Sequence, residues 1–306
     1  MSGYRVLAPA STSNLGPGFD TLGVAVDLSL EVLVEESPAS GFGVVVSGEG
    51  SDILPADGRN VVLRTAREIA GNAVDTARWT INSQIPVSRG LGSSGAANAA
   101  GYAAGYLLRD GRMPPRHEIF LHVARSENHP DNAAATVFGG FRIAGRESSG
   151  NWASTPGLLG TDTMQLLIVI PEIPVSTQQA RSILPVDYSR GDTVRNLQSL
   201  GTLLSGLARG DWEAVRRGCT DRLHEPYRLP LVPGLADALT TLRNHPAVGG
   251  AYLSGAGPIL VAFLPEPDAI DNLPQAAVDA LEQQGTQARA VVSSVQQVGL
   301  QSETLP

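Results

Sequence analysis

Residues 86–96 constrain the fold of this 306-residue chain more than any other stretch. They read Pro-Val-Ser-Arg-Gly-Leu-Gly-Ser-Ser-Gly-Ala. The run before them, Trp79 to Ile85, has large apolar residues at positions 79, 81 and 85, which predicts a strand. The Ala/Gly-rich run after them, Ala96 to Leu108, contains no proline and predicts a buried helix. The chain therefore carries a strand, a glycine loop and a helix in succession.

Three glycines indicate what this loop can bind. Gly90, Gly92 and Gly95 let the backbone come close to a ligand, because a Cβ would block the approach. Ser93 or Ser94 stands where a helix N-cap is expected. The free N–H groups and the positive end of the helix dipole would then face an anion. We predict a nucleotide phosphate at this helix N-terminus.

Other interpretations of the loop are open from the residues alone. The glycines could serve only tight packing at the start of a helix. They also satisfy the G-x-G-x-x-G pattern of dinucleotide-binding folds, but the acid expected about 20 residues later falls at Asp110, in a turn before Pro114-Pro115. A Walker loop needs G-K-[ST], and this chain has no lysine, since all 22 cationic side chains are arginine. Schiff-base chemistry is excluded for the same reason, and arginine, the backbone or a metal must supply any positive charge.

The composition is that of a globular protein long enough for two domains, with 42% hydrophobic and 17% charged residues. A net charge of −8 argues against nucleic acid or an anionic membrane as the main partner. The one cysteine, Cys219, permits no internal disulfide, and we expect a packed thiol in a cytoplasmic protein. The N-terminus lacks a signal-peptide pattern, and the apolar runs are too short to span a bilayer.

A polar loop follows a short predicted strand, Tyr4 to Leu7, near the start of the chain. The loop, residues 8–23, is rich in proline and glycine, and such loops often carry function. Asn14 and Asp20 are its candidate binding residues. Local Asx-turns explain the two side chains equally well.

A second polar segment, Arg125 to Asn132, reads Arg-Ser-Glu-Asn-His-Pro-Asp-Asn and combines carboxylates, amides and a histidine. A surface turn is the alternative to a ligand site. His129 shows no zinc-type spacing with the other histidines. Mg²⁺ prefers oxygen ligands and keeps several waters, so a carboxylate beside a phosphate loop suits it. We predict Glu127 as that ligand.

The pattern of the elements predicts an α+β fold in which strands alternate with helices. Apolar residues alternate from Val24 to Val34, which predicts a long, half-buried strand. Residues 42–47 predict another strand, paired with it in an antiparallel meander. The last predicted strand ends at Ser294.

A weakly patterned segment, residues 146–162, marks the predicted domain boundary. It divides the chain into residues 1–155 and 156–306. In the second part, Ser254-Gly-Ala-Gly-Pro258 lies between two apolar strands. It is either a simple hairpin turn or a second glycine turn that closes over the same ligand as the first.

Three stretches together resemble the signature motifs of the GHMP small-molecule kinases. They are Pro9–Asp20, Pro86–Ala96 and Leu253–Pro258, and they span nearly the whole chain. Within that superfamily, the first motif together with Glu127–Asn132 and His224–Arg228 resembles the homoserine kinase family.

Two positions depart from the family pattern. Asn128 replaces a common glycine, which could reshape the turn that carries Glu127. Ala256 replaces a common serine, which is a mild change.

The resemblance implies a two-domain GHMP kinase fold, with an N-terminal, ATP-binding, ribosomal S5 domain 2-like domain and a C-terminal ferredoxin-like α/β sandwich. It implies phosphorylation of the side-chain hydroxyl of L-homoserine by ATP with Mg²⁺, a step in threonine biosynthesis, by a homodimer. The alternatives are a GHMP kinase for another small alcohol, a dinucleotide-binding oxidoreductase, and a kinase-like protein that binds nucleotide without catalysis.

The resemblance also implies roles for individual residues. Nucleotide binding falls to Asn60, Pro86, Val87, Ser88, Arg89, Gly90, Leu91, Gly92, Ser93, Ser94, Gly95 and Ala96. Mg²⁺ binding falls to Ser94 and Glu127. Catalysis falls to Asn14, Glu127, Asp131 and Asn132. Substrate binding falls to Asn14, Asp20, His129, Asn132, Arg181, Arg228 and Gly255.

In these roles Arg181 and Arg228 hold the substrate carboxylate, and Asp20 holds its ammonium group. Asn14 and Asn132 orient the hydroxyl, and His129 lies nearby. Whether Asp131 takes the hydroxyl proton is open, because a loose phosphoryl-transfer transition state needs little activation of the nucleophile.

Overall fold

The computed structural model describes residues 3–36, 41–161, 164–266 and 270–306. Its strands are β1 (Gly3–Ser13), β2 (Leu22–Glu36), β3 (Gly43–Gly48), β4 (Ala77–Ser83), β5 (Phe141–Arg146), β6 (Trp152–Pro156), β7 (Gln165–Pro171), β8 (Gly250–Leu253), β9 (Leu260–Leu264), β10 (Ala288–Ser294) and β11 (Gln301–Leu305). Its α-helices are α1 (Val61–Ala70), α2 (Ser93–Asp110), α3 (Arg116–Glu127), α4 (Asp131–Phe138), α5 (Thr177–Ser182), α6 (Arg190–Arg209), α7 (Trp212–Gly218), α8 (Glu225–Arg228), α9 (Leu235–Asn244) and α10 (Leu273–Glu282).

The first sheet is built mainly from the N-terminal half. Its strand order is β11-β1-β2-β4-β3, and the β5–β6 hairpin joins it through β2. Helices α2 and α4 pack against β1 and β2, and α1 packs against α2. Trp79, Phe120 and Leu63 are fully buried in the resulting core.

The predicted antiparallel pairing of the second and third strands is wrong. β3 pairs with β4, and the two strands run parallel. The chain passes through α1 between them, and such a crossover returns the next strand in the same direction. The α+β class is confirmed.

The second sheet has the order β10-β7-β9-β8, and all its neighbours are antiparallel. Leu167 and Val169 on β7 face α9 and α10, whereas Leu166, Ile168 and Ile170 join the core shared with the first sheet. Both faces of β7 are thus covered, which explains its uninterrupted apolar sequence.

The first strand is longer than predicted, and this brings a polar sequence into the sheet. β1 continues past Leu7 to Ser13, with a register shift between Pro9 and Ala10. The hydroxyl groups of Ser11, Thr12 and Ser13 are buried but have polar partners from other elements. Only residues 14–21 remain as a loop between β1 and β2.

Three strands lie where none was predicted, and the first of them is β5, which pairs with β2. β6 lies within the boundary segment 146–162, of which residue 162 is outside the described residues, and pairs with β5. β11 follows the predicted last strand and pairs with β1, so the end of the chain belongs to the first sheet. The division at 155/156 stays a prediction, and it does not account for β11. None of the described helices combines the length and apolarity needed to cross a membrane.

Candidate active site

A cleft lies between the two halves of the molecule. It collects residues from the first polar loop, the glycine loop, the α3–α4 turn and the C-terminal half. Those that line it are Ser13, Asn14, Asp20, Ser88, Gly90, Gly92, Ser93, Ser94, Glu127, His129, Asp131, Asn132, Val175, Thr177, Arg181, Arg228, Gly255 and Ala256. The structure therefore brings every substrate and catalytic residue of the sequence prediction into one place.

The predicted N-cap of α2 is wrong. The cap is Gly92, in a left-handed conformation with φ 64°, and it makes no side-chain capping bond. A Cβ there would approach the Ser11 hydroxyl to 2.2 Å, so both the conformation and the space require glycine. Ser93 and Ser94 are the first helical residues. Since no capping side chain covers the start of α2, its first N–H groups are available to an anion in the cleft.

The two glycine turns contact each other. The Ser254 hydroxyl donates to the carbonyl of Gly90 (2.6 Å), and the N–H of Ile259 donates to the carbonyl of Arg89 (3.0 Å). Gly255 lies beside Gly90 and lines the cleft. The second turn is therefore part of the same site, as one of the two sequence interpretations held.

Glu127 lies at the end of α3 and faces the start of α2. The Ser94 hydroxyl donates to its Oε1 (2.6 Å), and so does the Asn98 amide (3.0 Å). Ser94 and Asn98 are four residues apart, so they project from the same face of α2. The hydroxyl and carboxylate oxygens are hard donors of the kind that Mg²⁺ takes, and they lie beside the free N–H groups of α2.

Asn98 is a site residue that the sequence reasoning missed. It is buried, and its Oδ1 accepts a hydrogen bond from Thr65 on α1 (3.0 Å). That bond orients the amide so that its Nδ2 points to Glu127. The signal available in the sequence was its spacing of one helical turn from Ser94.

The turn between α3 and α4 holds a buried acid–imidazole pair. His129 Nδ1 lies 2.6 Å from Asp131 Oδ1, which also accepts the backbone N–H of Asn132 (2.8 Å). Burial would lower the pKa of His129, but the charges of Asp131, Glu127 and Asp20 outweigh it and raise that pKa. Burial would raise the pKa of Asp131, but the His129 bond and the Asn132 N–H hold it below its ordinary value.

Asn128, which departs from the family pattern, still forms the turn at the end of α3. It ends α3 in the left-handed conformation, with φ 59°. Asparagine is among the few non-glycine residues that adopt this conformation readily. The turn that carries Glu127 therefore forms with asparagine in the place of glycine.

Two asparagines contribute amide groups to the cleft. Asn14 donates to the carbonyl of Gly255 (2.9 Å), and its Oδ1 accepts the N–H of Asp20 (3.1 Å). Asn132 accepts from the Ser11 hydroxyl (2.9 Å) and donates to Ser13 (3.2 Å). These bonds fix the orientation of both amides.

Two arginines and one carboxylate form the charged end of the cleft. Arg181 makes a two-pronged ion pair with Asp20, with N···O distances of 3.0 and 2.7 Å. Burial would lower the pKa of Arg181, but Asp20 outweighs it and raises that pKa.

Arg228 is only 3% exposed and donates to the carbonyls of Ala180 (3.1 Å) and Gly255 (2.9 Å). Burial, together with the charge of Arg181, lowers its pKa to about 10. Among the described residues no carboxylate lies within ion-pair distance of Arg228, so its charge is free for a ligand.

Several residues of the nucleotide prediction do not line the cleft. Asn60 caps α1, accepting the N–H of Val62 (3.0 Å) and donating to the carbonyl of Pro55 (2.8 Å). Arg89 donates to backbone carbonyls, including those of Pro171 and Glu172, and so ties the glycine loop to the second half. The predicted nucleotide residues that do not line the cleft are Asn60, Pro86, Val87, Arg89, Leu91, Gly95 and Ala96. The predicted role of Asn60 in nucleotide binding stays a prediction.

Family models match both halves of the chain. The model described as "GHMP kinases N terminal domain" matches residues 60–140, and that described as "GHMP kinases C terminal" matches residues 203–283. The homoserine kinase of Deinococcus radiodurans is 38% identical over 294 residues, which is 94% of this chain and 93% of that protein. The homoserine kinase of Corynebacterium kroppenstedtii is 38% identical over 288 residues, 92% of this chain and 90% of that protein.

A solved structure extends the similarity to the whole fold. The crystal structure of homoserine kinase from Cytophaga hutchinsonii is 27% identical in sequence and gives a TM-score of 0.84. The match covers 98% of this chain and 97% of that one. The two halves of the chain are therefore arranged as in that structure.

Proposed function

The chain belongs to the homoserine kinases of the GHMP kinase family. We propose the following roles for its cleft in catalysis. It is a phosphotransferase that uses ATP to phosphorylate the side-chain hydroxyl of L-homoserine and gives O-phospho-L-homoserine, a step of threonine biosynthesis. The charged groups of the cleft support homoserine as the substrate. A free cation, Arg228, and an ion pair of Arg181 with Asp20 face the N-terminus of α2 across one cleft.

This charge pattern suits a zwitterionic amino acid. The carboxylate of homoserine would bind Arg181 and Arg228, and its ammonium group would bind Asp20. Because the substrate brings one charge of each sign, it can replace the contacts within the Arg181–Asp20 pair without leaving either group unpaired. An acceptor without an ammonium group, such as mevalonate or a sugar, would leave Asp20 without that partner.

The opposite end of the cleft suits the phosphates of ATP. The open N–H groups of Ser93 and Ser94 would bind phosphate oxygens, as helix N-termini do. Ser94 and Glu127 would hold Mg²⁺, and their oxygen donors, 2.6 Å apart, fit that ion. When bound, Mg²⁺ neutralises the negative charge that the phosphate groups bring to the site.

The acceptor hydroxyl would lie between the two ends. Asn14 and Asn132 are fixed by their own hydrogen bonds and would orient the hydroxyl, with His129 beside it. Asp131 is a weak base, since its pKa is lowered and its Oδ1 is already bonded to His129 and Asn132. We propose that Asp131 orients His129 and that the reaction proceeds without a dedicated carboxylate base.

The dinucleotide-binding alternative lacks its required elements. The helix after the glycine loop, α2, leads into α3 and not into a parallel strand. Asp110 forms an ion pair with its neighbour Arg109, at the last turn of α2. A ribose-binding acid at the end of a second strand is therefore not provided by this segment.

Product detection tests the proposal. Phosphorus NMR of a reaction containing ATP, Mg²⁺ and L-homoserine should show a phosphate monoester on the homoserine side chain. Arg228→Ala should lose activity mainly through a higher KM for homoserine, with a KM for ATP close to wild type. A larger rise in the KM for ATP would contradict the placement of the two ligands. A homodimer and a cytoplasmic location remain proposals, and light scattering on the purified protein tests the first.

A further inference from the structure

Phe19 occupies an unusual position among the charged groups of the cleft. It lies in the loop after β1, directly before Asp20. The guanidinium carbon of Arg228 lies 5.1 Å from the centre of its ring, and that of Arg181 lies 5.7 Å away. Both distances are within the range of cation–π attraction. One ring thus contacts both cations that the proposed function assigns to the substrate carboxylate.

Those two cations repel each other. Arg228 is almost fully buried and has no carboxylate partner among the described residues, and the charge of Arg181 contributes to its lowered pKa. Before a substrate binds, the electron-rich ring of Phe19 is a group that attracts both guanidinium groups at once. An aliphatic side chain of similar size would fill the space without that attraction.

The ring also contacts a buried histidine. The imidazole of His224 stacks on it, with centroids 5.3 Å apart and planes inclined by 24°. His224 is fully buried, its Nε2 lies 3.0 Å from the carbonyl of Gly16, and its backbone N–H bonds to Asp221 (2.7 Å). The imidazole therefore joins the Phe19 loop to the start of α8, the helix that carries Arg228.

We propose that Phe19 is a positioning residue that holds Arg181 and Arg228 together in the orientation that receives the substrate carboxylate. This inference rests on the proposed function, because it assigns the two arginines to that carboxylate. It makes Phe19 responsible for affinity toward one group of the substrate, with no part in phosphate binding.

The test compares Phe19→Leu with Phe19→Tyr, which keeps an aromatic face. Phe19→Leu should raise the KM for L-homoserine about tenfold, equivalent to about 1.4 kcal/mol. Its kcat and its KM for ATP should stay within about threefold of wild type. Phe19→Tyr should stay within about threefold in all three constants. Circular dichroism and thermal unfolding of both variants establish that they are folded.

A substrate without a carboxylate separates positioning from general support of the loop. The probe is 3-aminopropan-1-ol, which keeps the ammonium and hydroxyl groups of homoserine. It is assayed as a substrate and as a competitive inhibitor against homoserine. Wild type and Phe19→Leu should bind it equally, since the arginines make no contact with it. Equal weakening toward both compounds, or a Phe19→Leu variant with an unchanged KM for homoserine, would overturn the inference. Failure of the wild-type protein to phosphorylate homoserine would instead overturn the proposed function.

Discussion

Replacing Arg228 by methionine should remove homoserine binding with little loss of stability. Methionine is similar in length and apolar, so it can fill the buried space that the arginine side chain occupies. A buried ion-pair partner usually costs about 3–5 kcal/mol to remove. Arg228 differs because its charge has no carboxylate partner among the described residues.

The expected change in the free energy of unfolding follows from the pKa and the hydrogen bonds of the Arg228 guanidinium group. Lowering the pKa from 12.5 to about 10 corresponds to about 3 kcal/mol at ~1.4 kcal/mol per unit. Since the pKa is lowered in the folded state, this cost of burying the charge applies at every pH below about 10. Methionine removes that cost but also removes two hydrogen bonds to carbonyls, together worth about 2–3 kcal/mol. The two effects nearly cancel, so the free energy of unfolding should change by less than about 1.5 kcal/mol.

Urea unfolding with and without substrate measures both consequences. Without ligand, the two proteins should unfold at similar urea concentrations. L-homoserine at about 100 times its Kd should stabilise the wild type by about 2.7 kcal/mol, and the same concentration should leave Arg228→Met unchanged. A ligand-free variant destabilised by more than about 3 kcal/mol would refute the reasoning. Arg228 would then be needed mainly for the stability of the fold. Equal stabilisation of both proteins by homoserine would refute the assigned role.

Three further results are expected. Asn98→Leu removes one donor to Glu127 but spares Ser94, so Mg²⁺ activation at fixed ATP should need about tenfold more Mg²⁺, and an unchanged requirement would argue against a ligand role for Glu127. Asn128→Gly should leave the free energy of unfolding within about 0.5 kcal/mol, whereas Asn128→Ala should cost about 1 kcal/mol because alanine disfavours the left-handed conformation; urea unfolding would contradict this if the two variants were equal. Burial raises the pKa of Cys219 to about 12, so its thiol should resist an aromatic disulfide reagent at pH 8 until the protein is unfolded, and rapid labelling of the native protein would be inconsistent with its burial.

The sequence predicted the contents of the cleft better than the course of the chain around it. Most of its candidates came from short motifs whose chemistry is local, such as glycines before a helix and a carboxylate beside a histidine. Arg181 and Arg228 came only from the resemblance. Because the resemblance assigns these motifs to one site, it implied that they meet in space even though they lie far apart in the chain. Asp20 and Arg181, 161 positions apart, form an ion pair.

The errors concern interactions that are not local. Ser11, Thr12 and Ser13 look like loop residues, but their hydroxyl groups find buried partners on other elements, which lets β1 continue. The return of β11 to the first sheet depends on the whole chain being folded, and no signal near residue 301 indicates it. The cap of α2 was misassigned because serine is a common N-cap; here Gly92 leaves the helix end open toward the cleft.

Two residues that support the site, Asn98 and Phe19, were recognised only from their contacts in the structure. Asn98 and Phe19 contact site residues without belonging to the reacting set. The spacing of one helical turn from Ser94 is the only sequence signal for Asn98, and no pattern singles out Phe19. Asn98 reaches Glu127 because the ends of α2 and α3 meet, and Phe19 reaches Arg228 because α8 packs against the first loop. Such supporting contacts depend on how elements pack, which a sequence pattern does not record.

Initial rates of ADP release, measured with ATP and Mg²⁺ across four acceptors, test the central claim most directly. The acceptors are L-homoserine, mevalonate, shikimate and galactose, and each is compared with the rate in its absence. The charge pattern of Asp20, Arg181 and Arg228 predicts efficient turnover with homoserine and a rate near background with the other three. Turnover of mevalonate or a sugar in preference to homoserine would contradict the proposed function and leave only the GHMP kinase fold in place.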